Sequence, residues 1–448
     1  MQKYKFVHFV GIGGISMSGI AKVLLNRGVK VSGSDRSESG ATRELESMGA
    51  EVYIGHKSEN ITQQDLVVYT AACSDDNPEL VEARAKGIEV VDRATMLGWI
   101  MQDYANAVSV AGTHGKTTTT SMMTYIMMKA LLDPTVMVGG NLDIIDGNFR
   151  MGNSGYFVTE TCEYCRSFLK FFPRFAMILN VEEDHLDYYK DLDDIIDAFS
   201  DFAAIVPEDG YVVVPSQSEN AMRCLGKVRG KVLTFGTQDA DFTAVNIRYT
   251  DYGYPVFDVM HDGQVIISAE LSVPGEHNVL NATACIACAY AMGIDMKYVK
   301  EGLEAFTGTK RRFEKKGFVN GALVIDDYAH HPTEIKATLD AVARVKHNRL
   351  WCIFQPHTYT RTYTLFDDFV SVLGSAENVI VADIYAAREI DTGIVSSQQL
   401  ADSINGAKFM KTFDEIEDYI RANASEGDIV LTVGAGNVVD IADNLVNI

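Results

Sequence analysis

The sequence lacks any uninterrupted apolar run of the roughly 18 residues that a membrane-spanning helix requires, so no transmembrane segment is expected. Positive charge is also scarce. Its 39 lysines and arginines stand against 61 acids, and the net charge of -22 repels polyphosphate and anionic lipid surfaces. Nucleic acid and membranes are therefore not expected partners, although local backbone dipoles can still hold a small anion at short range. The seven cysteines, an odd number, do not supply a metal framework. Cys162 and Cys165 form a C-x-x-C with no second pair to complete a zinc site, and read as thiols of a reducing cytoplasm. The N-terminal stretch has Lys3 and Lys5 before an apolar run, but His8 and three glycines break it. A buried strand entering a tight turn is expected there rather than a signal peptide. Low-complexity tracts and repeats of solenoid period are absent as well.

What is present is a folded, globular composition, 47% hydrophobic and 22% charged, in 448 residues. That length suggests about three domains. Short apolar runs such as Phe6–Val10, Val29–Val31 and Leu66–Tyr69 alternate with helical spacing at Ile20, Val23 and Leu24. The alternation predicts β-α-β units and a parallel sheet. A second such unit begins at Ala107–Ala111 and a third near Thr309. Between Asp241 and Val273 the pattern changes, and Asp251–Tyr254 and His261–Gln264 predict turns of antiparallel hairpins. The expected domains are 1–104, 105–308 and 309–448.

The strongest chemical signal is Val110-Ala111-Gly112-Thr113-His114-Gly115-Lys116-Thr117-Thr118, a strand running into a glycine-bearing turn and a helix. Backbone N–H groups of such a turn point at phosphate oxygens, Lys116 adds charge for the β- and γ-phosphates, and the Thr117 hydroxyl can ligate Mg²⁺. The general phosphate-loop pattern places glycine six residues before the lysine, where this chain has Val110. Glu160 and His185 follow strand ends, the edge where open α/β sheets place ligands, and beside a phosphate loop they become candidate metal ligands with Thr117. Asn278 and Asn281 are three apart, hence on one helix face; their amides can read an adenine edge, or Asn278 can cap a helix. Near the N-terminus, Gly11, Gly13 and Gly14 resemble a dinucleotide fingerprint with Ser16 in its third glycine position. After the next strand, Asp35 can accept a ribose hydroxyl.

These motifs, in this order, resemble the Mur ligases and their folylpolyglutamate synthetase relatives. The resemblance rests on G-T-H-G-K-T-T at Gly112–Thr118, N-V-E-E-D-H at Asn180–His185 and P-G-E-H-N-V-L-N-A at Pro274–Ala282. It continues through Arg312, D-D-Y-A-H-H-P-T-E at Asp326–Glu334 and Q-P-H-T-Y-T-R at Gln355–Arg361. It implies an α/β protein of three domains: an N-terminal Rossmann-like UDP-binding domain, a central P-loop ATPase-like domain with added antiparallel strands, and a C-terminal Rossmann-like domain that brings the amino acid. It implies an ATP- and Mg²⁺-dependent carboxylate–amine ligase. The loop G-I-G-G-I-S-M-S-G is similar to the alanine-adding branch, which implies UDP-N-acetylmuramate and L-alanine as substrates of a monomer or homodimer.

By the same resemblance the ATP contacts are Gly112, Thr113, His114, Gly115, Lys116, Thr117, Thr118, Asn278, Asn281, Arg312 and Asp327. The metal ligands are Thr117, Glu160 and His185, and chemistry falls to Lys116, His185, Arg312 and His331, with His330 open beside the last. Gly11, Gly13, Gly14, Ser34 and Asp35 bind UDP; His357 and Arg361 bind the amino acid, whose carboxylate suits an arginine fork. Cys162 stands where many relatives carry an acid, and Thr358 where some carry an arginine. A ligase recycling a preformed tripeptide, a nicotinamide-dependent oxidoreductase using residues 1–100 and a P-loop switch without ligation are the competing expectations.

Overall fold

The computed structural model describes residues 3–70, 73–186, 188–250, 253–387 and 389–446. The chain divides into two compact units. One is Met1–Ala244 with Val259–Ile267 and Asn281–Leu303; the other is Val245–Asp258 with Ser268–Leu280 and Glu304–Ile448.

The first unit begins with five short parallel strands: β1 (Phe6–Val10), β2 (Lys30–Asp35), β3 (Glu51–Ile54), β4 (Leu66–Tyr69) and β5 (Glu89–Asp92). Their order is β3-β2-β1-β4-β5. The β1 segment, FVHFV, is covered on both faces, which is why it is a continuous run rather than an alternation. The helix Ile15–Asn26 lays Met17, Ile20, Val23 and Leu24 into the core. The order reverses at β1, so the crevice for a ligand opens past Val10.

A ten-stranded sheet follows. Its strands are β6 (Asn106–Ala111), β7 (Thr135–Leu142), β8 (Gly147–Arg150), β9 (Tyr156–Glu160), β10 (Phe175–Ile178), β11 (Tyr211–Pro215), β12 (Lys231–Gly236), β13 (Phe242–Tyr249), β14 (Pro255–His261) and β15 (Gln264–Glu270). They run in the order β15-β14-β13-β12-β11-β10-β6-β9-β7-β8. Here β6 lies between parallel β10 and β9, and its carboxyl end is the second crevice. Asp262 and Gly263 both have left-handed φ, 48° and 74°, as the two-residue turn between β14 and β15 requires. The other expected turn, Asp251–Tyr254, falls partly outside the described residues. Within this unit the helix Arg93–Met101 lies so close to the chain at Lys170 that a Cβ on Gly98 would collide with the Lys170 carbonyl.

The second unit holds β16 (Glu314–Val319), β17 (Ala322–Asp327), β18 (Leu350–Phe354), β19 (Asn378–Val381), β20 (Lys408–Phe409) and β21 (Ile429–Val433), in the order β16-β17-β21-β18-β19-β20. Only β16 pairs antiparallel. Phe354, Phe369 and Leu431 lie in the core of one face, and Trp351, Val430 and Ile441 in that of the other. The loops after β17, β18 and β21 gather at one edge. There the Arg311 guanidinium donates to the Gly434 carbonyl at 2.8 Å, and Gln355 accepts from the Val438 amide at 3.0 Å. Among the described residues no helix is long and apolar enough to cross a membrane.

Candidate active site

Val110 and Ala111 are fully buried at the end of β6, so the position where the general phosphate-loop pattern wants glycine is still sheet, and the turn starts at Gly112. Gly112 and Gly115 take φ of 144° and 81°, conformations costly for any other residue. A Cβ on Gly115 would also stand 3.0 Å from the Asn281 amide oxygen. Helix Lys116–Lys129 begins directly on Gly115 with no side-chain cap, leaving first-turn N–H groups for an anion. Asn180 clamps the turn from β10: its Oδ1 accepts the His114 amide at 2.7 Å and its Nδ2 donates to the His114 carbonyl at 3.2 Å. Thr113 Oγ1 accepts the Glu182 amide at 3.0 Å. Part of the N-V-E motif therefore shapes the loop, a role its spacing did not disclose.

Lys116 Nζ donates to the carbonyls of Gly112 and Thr113 at 2.5 and 2.9 Å and lies 3.0 Å from the Glu163 carboxylate. Burial works against the ammonium charge, but Glu163 together with Cys162 and Glu160 outweighs it and the Lys116 pKa is raised. Glu163, to which sequence reasoning gave no role although it stands in the same cluster as Glu160, is the partner of Lys116. His185 joins this group, its Nε2 being 3.6 Å from Glu163 and 3.8 Å from Asp184, on a backbone with φ of 55°. Thr117 Oγ1 donates to Glu160 at 2.7 Å. The structure thus brings together Thr117 with Glu160, and Lys116 with Glu163 and His185. The paired hydroxyl and carboxylate oxygens are a donor set that fits a hard divalent cation. Burial first, then Glu163, pushes the Cys162 thiol up to about 11, so it stands as a neutral thiol.

At the N-terminal crevice, Gly11 and Ile12 amides donate to the Ser34 carbonyl at 2.8 and 3.0 Å. The Gly13 amide donates to Asp35 at 2.8 Å. Gly11 has φ of 84°. Ser34 precedes Asp35 at the end of β2. Its side chain is fully buried, and its hydroxyl donates to Glu79 at 2.6 Å, so it holds the loop from beneath.

In the second unit, Asp327 spends both carboxylate oxygens on the amides of Phe313 and Ala329, each at 2.8 Å, which fixes the chain bearing Arg312. The Arg312 guanidinium lies 5.1 Å from the Tyr328 ring centre. Burial pushes the Asp327 carboxyl up to about 6, against the pull of Arg312 and the two amides. A carboxyl raised in this way favours folding at low pH, and that contribution is lost as pH rises through about 6. Asp327→Asn is expected to flatten the fall in stability between roughly pH 4 and 6 in urea unfolding; an unchanged slope would exclude Asp327 as its source.

His331 caps helix Pro332–Ala343, its ring accepting the Thr333 amide. Its neighbour His330 has Nδ1 3.0 Å from the Tyr328 carbonyl and 3.3 Å from Glu334, both acceptors, so Nδ1 carries the proton. Burial holds the His330 pKa below its usual value and the ring neutral. His331 thus caps the helix through one ring nitrogen, and in His330 the accepting nitrogen is Nε2. His357 and Arg361 meet at 3.1 Å, and the His357 ring stacks on Tyr385 and meets His330 edge-on. Asn278 sits inside the first turn of helix Glu276–Ala291 and donates to the Pro274 carbonyl at 2.7 Å, so it does not act as the N-cap.

A phosphate loop at the end of β6, a glycine loop at the end of β1 and three α/β sheets define a Mur ligase, and the chain belongs to that family. It matches the Mur ligase family catalytic domain over residues 6–105, the Mur ligase middle domain over 110–289 and the Mur ligase glutamate ligase domain over 311–436. It is 51% identical to a UDP-N-acetylmuramate–L-alanine ligase of Clostridium botulinum, covering 100% of this chain and 98% of that one. The UDP-N-acetylmuramate–alanine ligase structure from Thermotoga maritima aligns with a TM-score of 0.81 at 32% identity, over 99% of this chain and 98% of that one. A murein peptide ligase of Psychrobacter arcticus aligns at 0.69 and 27% identity, over 99% and 100%.

Proposed function

We propose that this chain is the ATP-dependent ligase that joins L-alanine to the lactyl carboxylate of UDP-N-acetylmuramate in peptidoglycan synthesis. The observation that carries the reading is the placement of Lys116, Thr117, Glu160 and Glu163 around one glycine-framed turn. The substrate carboxylate attacks the γ-phosphorus, the bond to ADP breaks, and an acyl phosphate forms. The amine of L-alanine attacks the acyl carbon, gives up a proton, and phosphate leaves. Lys116 holds charge on the transferring phosphoryl group. Thr117 and Glu160 are the residues to hold Mg²⁺, which when bound neutralises phosphate charge, and His185 orients Glu163. Residues 1–104 take the nucleotide sugar on Gly11, Gly13, Gly14 and Asp35; residues 105–308 take ATP. Residues 309–448 contribute Arg312 toward the nucleotide and His357 and Arg361 for the amino-acid carboxylate, whose amine is served by the neutral His330. The proposed setting is the cytoplasm, as monomer or homodimer.

The tripeptide-recycling reading is weaker, because among the solved structures the murein peptide ligase aligns at 27% identity and a TM-score of 0.69, where the alanine ligase aligns at 32% and 0.81. Phosphate release with UDP-N-acetylmuramate, measured against a panel of amino acids and one tripeptide, tests the proposal. L-alanine is expected to give the highest kcat/KM; preference for the tripeptide would reject it.

A further inference from the structure

A cavity of about 250 Å³ opens in the first unit, lined among others by Ser16, Arg93, Lys116, Thr159, Glu160 and Cys162. It joins the two loops already described, since Ser16 lies just past the glycine turn after β1 and Lys116 opens the helix of the phosphate loop. Arg93 is the first residue of its helix. The other charges on the wall are spoken for: Lys116 pairs with Glu163, and Glu160 accepts from Thr117. Asp92, the neighbour that might have neutralised Arg93, caps the helix through the Thr95 amide at 2.8 Å and pairs with Lys170. Arg93 itself is half-buried and makes no ion pair or hydrogen bond among the described residues. A guanidinium drawn partly out of water without a counter-charge is unfavourable unless a ligand supplies one.

We propose that Arg93 is a substrate-binding residue. Its guanidinium grips the carboxylate of the nucleotide sugar and presents it to the side of the phosphate loop that bears Lys116 and Glu160. This rests on the ligase reading above and adds the residue that aims the acceptor. The choice of carboxylate over the diphosphate of the same substrate follows from position. The wall shared with Arg93 is the phosphoryl side, whereas the uncapped first turn of helix Ile15–Asn26, just past the glycine turn, frames the diphosphate side. The planar fork of arginine matches a carboxylate with two parallel hydrogen bonds, which a lysine cannot reproduce.

The test uses the full chain with R93Q, which keeps the cavity filled, and R93K, which keeps the charge. KM for UDP-N-acetylmuramate should rise about 10- to 100-fold in R93Q, with little recovery in R93K. KM for ATP should stay within about twofold, because no ATP contact is removed. UDP-N-acetylglucosamine has the same diphosphate but no lactyl carboxylate, and its affinity by calorimetric titration should be unchanged in both variants. Equal weakening of both sugars would move Arg93 to the diphosphate and overturn the proposal, as would an unaltered KM for UDP-N-acetylmuramate. Failure of the parent reading shows separately, as absence of phosphate release by the wild-type chain with UDP-N-acetylmuramate and L-alanine. Melting temperatures of both variants close to wild type are expected, since Arg93 gives up no hydrogen bond or ion pair among the described residues.

Discussion

Lys116→Ala should lower the rate of phosphate release by about 10³-fold, with titrated affinity for UDP-N-acetylmuramate retained. The ammonium sits between the turn carbonyls and Glu163, and its charge is maintained by that carboxylate despite burial. Removing it takes away the positive charge aimed at the transferring group. It also strands Glu163, whose side chain is only 4% exposed. Breaking such a pair typically costs about 3–5 kcal/mol. Two effects are thus superimposed, and a second variant separates them. Lys116→Met with Glu163→Gln removes both charges and should regain much of the lost stability by urea unfolding while staying inactive. Return of activity with stability would show that Lys116 is a structural cation and would remove it from the phosphoryl site.

Gly139→Ala is the second large effect expected, and its cause lies entirely in a neighbour. Gly139 is within β7, and a Cβ there would collide with the Glu160 carboxylate and stand 3.3 Å from Thr117 Oγ1. Its backbone does not have the left-handed φ that penalises alanine. The methyl group must therefore displace Glu160 from Thr117. Activity is expected to fall by about 10²-fold and the Mg²⁺ concentration for half-maximal rate to rise, with a stability loss of about 1–3 kcal/mol. KM for UDP-N-acetylmuramate should stay nearly constant. A variant with normal Mg²⁺ dependence would show that the Thr117–Glu160 pair does not hold the cation.

These two residues mark the limit of what was legible. Lys116 could be found because a turn needing glycine, then a cation, then a hydroxyl is a contiguous requirement, written in seven adjacent residues. The β-α-β alternation was legible for the same reason: burial of both sheet faces leaves continuous apolar runs such as Phe6–Val10. Gly139 carries no such signal. Its constraint comes from a carboxylate on β9, which is distant in sequence and adjacent only because β7 pairs with β9. Ser34 shows a related limit. It lies beside Asp35 at the end of β2, but successive strand residues face opposite sides, and Ser34 faces inward to Glu79. His331 shows another: a helix start can use an imidazole as a cap, and its pairing with Glu334 is visible only once the helix exists.

The sequence by itself determined the three α/β sheets, the phosphate turn and the family's motif order, because each depends on residues that are near neighbours in the chain. Tertiary structure decided which charges are paired and which are left over. Glu163 is committed to Lys116 and Asp92 to Lys170, while Arg93 has no counter-charge among the described residues. Electrostatic pairing depends on distances of a few ångströms between strands and helices far apart in the chain, and only folding sets those distances.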